Sequence, residues 1–149
     1  MGSNNTTSAF SGESPQEARA FRFAVVTDGG LIVQEVPISD ERGILSHLQR
    51  AVGGYIERVD VGHDGLDGFA NKEGHGLAYN HNATRVVRAL SGLPYSLVGP
   101  VVFASHTGGT VHSITDEHLA LVVAEYNRVA PYGPRVSVSP ADGSVTVDQ

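Results

Sequence analysis

Phe21-Arg22-Phe23-Ala24-Val25-Val26-Thr27, then Asp28-Gly29-Gly30, then Leu31-Ile32-Val33-Gln34-Glu35-Val36: this stretch decides the fold class of the chain. Two β-rich runs joined by Asp-Gly are the strongest short-range signal for a β-hairpin. Pro37 ends the second run, because proline cannot donate to a strand ladder. A chain that begins on an antiparallel pair is not built from regular βαβ units, so an α+β fold is expected.

The elements that follow agree. Ser39 or Asp40 caps a helix over about residues 41–52, on which Ile44, Leu45, Leu48 and Val52 form one apolar face. Gly53 supplies the left-handed residue that ends many helices. Residues 55–61 alternate as a third strand, 62–68 form a loop or tight turn, and a short strand covers Leu66 to Asn71. Asn80 or Asn82 caps a helix over about 83–91, with Ala83, Val86, Val87 and Leu90 inward; Gly92 and Pro94 end it. Residues 97–104 are the most apolar run and read as a buried strand with Pro100 at a bulge or edge. Ser105–Thr110 reads as a hairpin or crossover loop rather than a phosphate cradle, since it has no Lys and no Walker spacing. Ser113 or Thr115 opens a helix over about 116–129, with Leu119, Val122, Val123 and Tyr126 facing the core. Residues 136–147 read as a second hairpin around Pro140-Ala141-Asp142-Gly143. The order ββ-α-ββ-α-β-α-ββ describes a single small α+β domain with a mixed or antiparallel sheet and three helices. Residues 1–18, rich in Ser, Asn, Thr, Gly and Glu, read as a flexible tail in which Phe10 is the one large apolar residue; the domain is 19–149.

Composition removes whole classes of chemistry. The chain has 149 residues and no cysteine, which excludes disulfide scaffolds, thiolate zinc sites and cysteine nucleophiles. No apolar run approaches the ~18 residues of a membrane span, and the first residues lack the basic and apolar regions of a signal peptide. A cytoplasmic location is expected. The net charge is −6 with no basic cluster, which argues against nucleic-acid binding. Nine of the ten basic residues are Arg, a bias that fits a GC-rich genome better than a function.

Four short motifs occur in order: Leu48-Gln49-Arg50-Ala51-Val52-Gly53-Gly54-Tyr55-Ile56-Glu57, Asn71-Lys72-Glu73-Gly74, Asn80-His81-Asn82-Ala83-Thr84, and Val98-Gly99-Pro100-Val101-Val102. Together they resemble the family called domain of unknown function 3846, over residues 45–104. Lys72 stands where that family usually has an acidic residue, and Tyr79 where a Leu-Pro pair commonly precedes the Asn. The resemblance brings no reaction with it. It implies a small accessory protein of a phage or other mobile element.

The densest polar stretch is 71–84, with Asn71, Glu73, His75, Asn80, His81, Asn82 and Thr84, followed by Arg85. Polar loops of this kind often carry function on a rigid scaffold, and a helix N-terminus at Asn82–Thr84 favours an anion such as phosphate. The alternative is a capped helix behind an Asn-rich turn. Gly53, Gly54 and Tyr55 join the candidate ligand-binding set, although a helix stop and half-buried packing are the more ordinary explanations of them. The leading expectation is therefore a non-enzymatic binding protein for a host protein or a small, for example phosphorylated, ligand, with no cofactor. It expects Asn80 and Arg85 to serve binding rather than stability. A second reading is a metal-assisted hydrolase using His63, Asp67, Glu73, His75 and His81, with His106 and His112 as further imidazoles; none has His-x3-His spacing on a helix. His47 and His118 fall on polar helix faces and read as solvated. A third is a structural protein assembling into a homo-oligomer through hairpin edges.

Overall fold

The computed structural model describes residues 19–148. The tail over 1–18 and the docking of Phe10 lie outside the described residues. The opening hairpin is present as strands β1 (Ala20–Thr27) and β2 (Gly30–Pro37), paired in register from Ala20↔Pro37 to Thr27↔Gly30 around a two-residue turn. Helix α1 (Glu41–Val52) starts at Asp40, whose carboxylate accepts from the Arg42 and Gly43 amides, and stops at Gly53, which is left-handed at φ 83°. A second hairpin, β3 (Ile56–Asp60) and β4 (Leu66–Asn71), follows. Helix α2 (His81–Ser91) is capped by Asn80.

One strand is placed differently from the sequence reading. Strand β5 is Val101–Thr107, not 97–104. Leu97–Pro100 stay outside it and contribute an isolated bridge, Tyr79↔Val98, because Pro100 has no N–H for the ladder. The 105–110 segment is a hairpin, the first of its two readings from sequence. It carries the end of β5 and the turn Gly108-Gly109, which leads into a short strand β6 (Thr110–His112). Helix α3 (Asp116–Val129), capped by Thr115, and the hairpin β7 (Val136–Val138) with β8 (Val145–Val147) complete the fold.

The main sheet has the order β2-β1-β5-β4-β3, with β6 paired to the far end of β5, and every pairing is antiparallel. Alternation along the strands explains the three layers. Phe21, Phe23 and Val25 point to one face and pack with Ile44, Leu48 and Val52 of α1. Ala24, Val26, Val101 and Phe103 point to the other and pack with Val86 and Val87 of α2 and Leu119 and Val122 of α3. Strand β5 is central and covered on both faces, which is why it reads as a continuous apolar run. Leu45 departs from the expected apolar face of α1: it is 49% exposed. None of the described helices is long and apolar enough to cross a membrane.

This topology gives the sheet two unlike ends. At one, β1 and β4 finish, β3 and β5 begin, and α2 starts. At the other, β3 and β5 finish, α2 stops and α3 starts.

Candidate functional site

All four motif segments meet at the end of the sheet where α2 starts. Their asparagines and Thr84 are used to knit the loops together. Asn71 donates from Nδ2 to the Val52 carbonyl at 3.1 Å and accepts at Oδ1 from the Glu73 and Gly74 amides, both at 2.9 Å. It thereby ties the end of α1 to the 72–74 turn. A Cβ at Gly54 would lie 2.9 Å from Asn71 Nδ2, so the second glycine makes room for that tether. Asn80 is buried. Its Nδ2 donates to the carbonyls of Val26 at 2.9 Å and Gly99 at 2.7 Å, and its Oδ1 accepts from the Ala83 amide. Asn82 is fully buried; it donates to the carbonyls of Thr27 and Tyr132 and accepts from the Tyr132 amide. Thr84 Oγ1 accepts from the Leu97 amide at 3.0 Å. Gly99 has φ 71°, and a Cβ there would lie 2.7 Å from Leu77 Cδ1.

Of the expected site residues, Asn71, Asn80, Asn82, Thr84, Gly53 and Gly54 therefore have structural partners. Glu73, His75, His81, Arg85 and Tyr55 are exposed. Tyr55 is 69% exposed rather than half-buried. The expected anion site at the start of α2 is already filled: the Asp28 carboxylate accepts from the Asn82 amide at 3.0 Å. The next two amides are engaged as well, since Ala83 and Thr84 donate to Asn80.

Asp28 belongs to the hairpin turn that opens the fold, and sequence reasoning assigns it only a turn role. Its Oδ2 lies 2.8 Å from His81 Nδ1. Burial alone would push the Asp28 carboxyl up; the Asn82 amide, then the hydrogen bond and charge of His81, outweigh this and hold it below the ordinary carboxylate value. Aromatic rings sit edge-on to the His81 imidazole on two sides, Tyr79 at 4.7 Å and Tyr132 at 5.4 Å between centroids. Tyr79 is 40% exposed, Tyr132 50% and Leu77 36%. A shallow cleft of about 290 Å³ opens beside them, lined by Thr27, Asp28, Leu77–Asn80, Gly99 and Pro100. Tyr132 lies fifty positions beyond Asn82 in sequence and carries no local signal of this role.

The histidines do not assemble as the hydrolase reading requires. His63 Nε2 contacts the Leu90 carbonyl at the end of α2, whereas His81 opens that helix. The helix rise from His81 to Leu90 puts about 14 Å between these points. No group of three or more His, Asp or Glu among the described residues could hold a metal. His106 and His112 lie with His63 at the opposite end of the sheet from His81. His112 bonds Thr107 Oγ1 and the Ser113 carbonyl. His106 Nδ1 is 2.8 Å from Asp67 Oδ2, an ion-pair distance without hydrogen-bond alignment, and Arg58 Nε donates to Asp67 Oδ1 at 2.8 Å. His118 is half-buried and both ring nitrogens have partners: Ser105 Oγ is 2.7 Å from its Nδ1, and its Nε2 meets the Asp64 carbonyl at 3.1 Å. A Ser–His pair invites a nucleophilic reading. Here Ser105 is fully buried and accepts from the Thr115 amide, so its hydroxyl pins the start of α3 to β5.

A family model described as Domain of unknown function (DUF3846) matches residues 21–127, from the opening hairpin through most of α3. No curated protein and no solved structure matches the chain.

Proposed function

We propose a function for this chain, which belongs to the DUF3846 family: it is a small binding protein that recognises another protein through the end of the sheet where α2 starts. One observation carries the reading. After the Asn, Thr and Gly residues are assigned to loop tethering, the large side chains left exposed at that end are Tyr55, Leu77, Tyr79 and Tyr132, beside the charged Lys72, Glu73 and Arg85. Tyrosine is enriched among residues that dominate binding energy, because it covers area at little conformational cost. The scaffold beneath is rigid: buried hydrogen bonds from Asn80 and Asn82 join the β1 turn, the start of α2 and the segment after α3. Large exposed side chains on fixed backbone suit recognition better than catalysis, which needs a nucleophile or a proton relay aimed at a reacting atom. The setting in a phage or other mobile element, and hence a host protein as partner, comes from the family resemblance alone.

The test is photo-crosslinking in the native cell. A photoreactive phenylalanine analogue replaces Tyr132 or Leu77 at the proposed surface, or Leu93 at the opposite end of α2. One adduct of constant mass is expected from the first two positions and not from Leu93. The same adduct from all three, or none from any, overturns the proposal.

A further inference from the structure

We infer that the cleft beside Tyr79 takes a lysine or arginine side chain of the partner; this rests on the binding reading above. The cleft has apolar walls, Leu77, Ala78, Gly99 and Pro100, and one charged group at its rim, Asp28. That carboxylate is kept ionised by the Asn82 amide and His81, which occupy one position on each oxygen. A carboxylate offers about four acceptor positions, so others remain. Tyr79 lines the same cleft and leaves an exposed ring within one imidazole's reach of Asp28. Apolar walls, an ionised carboxylate and a tyrosine ring together match a long aliphatic stem ending in a cation, through burial of the stem, charge pairing and cation–π attraction. An anionic occupant would meet the Asp28 charge, and the Asn82, Ala83 and Thr84 amides beside it are already engaged. Arg85, one helical turn beyond His81 and exposed, makes no ion pair among the described residues. Its charge disfavours a cation on the helix side, so the partner's side chain enters from the Leu77 and Pro100 side. The chain's net charge of −6 adds a long-range attraction of the same sign.

The probe is acetyl-Gly-Lys-Gly-amide titrated into the isotope-labelled full chain by NMR, beside the Arg, norleucine, acetyl-lysine and Glu versions. A single-residue contact is expected to give a Kd on the order of millimolar. Amide shifts should centre on Thr27, Asp28, Leu77–Asn80 and Gly99 for Lys and Arg, and be absent for the three uncharged or acidic peptides. Tyr79→Ala should weaken the Lys peptide about tenfold, by removing a desolvated cation–π contact. Leu77→Lys, at an exposed position that leaves the tethers intact, should abolish the shifts by placing an ammonium in the cleft. Equal shifts with norleucine would overturn the inference in favour of plain apolar docking. So would shifts that map elsewhere, or no saturable shift with Lys or Arg. If crosslinks form at Tyr132 and Leu77 while no basic peptide binds, the surface is right and the basic occupant is wrong. If no crosslinks form while the Lys peptide saturates the cleft, this inference stands without the protein-partner reading.

Discussion

Asn80→Ala separates structure from recognition at the motif end of the sheet. The side chain is buried and makes three hydrogen bonds: to the Val26 carbonyl, to the Gly99 carbonyl and from the Ala83 amide. Losing the helix cap costs about 1 kcal/mol. Leaving two carbonyls without this donor adds roughly 1 kcal/mol each, the low end of the range because a carbonyl keeps a second lone pair. The sum is about 3 kcal/mol, which in a domain of this size lowers Tm by roughly 10 °C. Thermal unfolding followed by circular dichroism measures it, with urea unfolding to check that the slope, and hence the surface exposed on unfolding, is unchanged. Asn80→Ser keeps an acceptor for the cap but loses both donors, and should recover about 1 kcal/mol of the loss. Arg85→Ala, five residues on and exposed, should stay within about 0.5 kcal/mol of the parent. A Tm for Asn80→Ala within about 2 °C of the parent would refute the tethering role and return Asn80 to the candidate binding residues.

Gly99→Ala puts a Cβ 2.7 Å from Leu77 Cδ1 at φ 71°, so it should destabilise by roughly 1–3 kcal/mol and displace Leu77, visible as NMR shifts at Leu77–Asn80. Asp28 has a folded-state pKa below its unfolded value. The stability it contributes is therefore complete above the unfolded pKa near 4 and is lost as pH falls through the lower folded value. Asp28→Asn should lower stability at neutral pH and flatten its decline below about pH 4; an unchanged acid profile would remove the His81 and Asn82 contacts from the account. Tyr79→Ala with Tyr132→Ala should lower binding to the crosslinked partner by tenfold or more while costing little stability, since both rings are largely exposed.

The fold is legible wherever one local rule decides an element. Asp28-Gly29 fixes the first hairpin, and Asp40, Asn80 and Thr115 sit at the caps expected from side chains that can accept amide hydrogen bonds. It is less legible where pairing decides. The short β6 has no strong pattern of its own and exists because the end of β5 is free to pair with it, Ser105↔His112 through Thr107↔Thr110. The start of β5 is set by Pro100, which hydrophobicity alone does not register.

The candidate site shows the same division more sharply. A polar cluster in sequence gives residue types and not their direction. The same Asn and Thr that could greet a ligand also suit backbone carbonyls left over at strand and helix ends, and here most face inward. Asn80 and Asn82 are the clearest instances: both are spent joining segments more than fifty residues apart. Burying them is favourable because their amide groups find backbone partners, the carbonyls of Val26 and Gly99 for one and of Thr27 and Tyr132 for the other. What is left for recognition is then fixed by exclusion. The large side chains left exposed at this end are Leu77 and three tyrosines, and two of those rings flank a histidine held by a carboxylate of the first turn. The Asp-Gly turn that announces the fold therefore also positions the site, because its aspartate caps α2 and orients His81 at once.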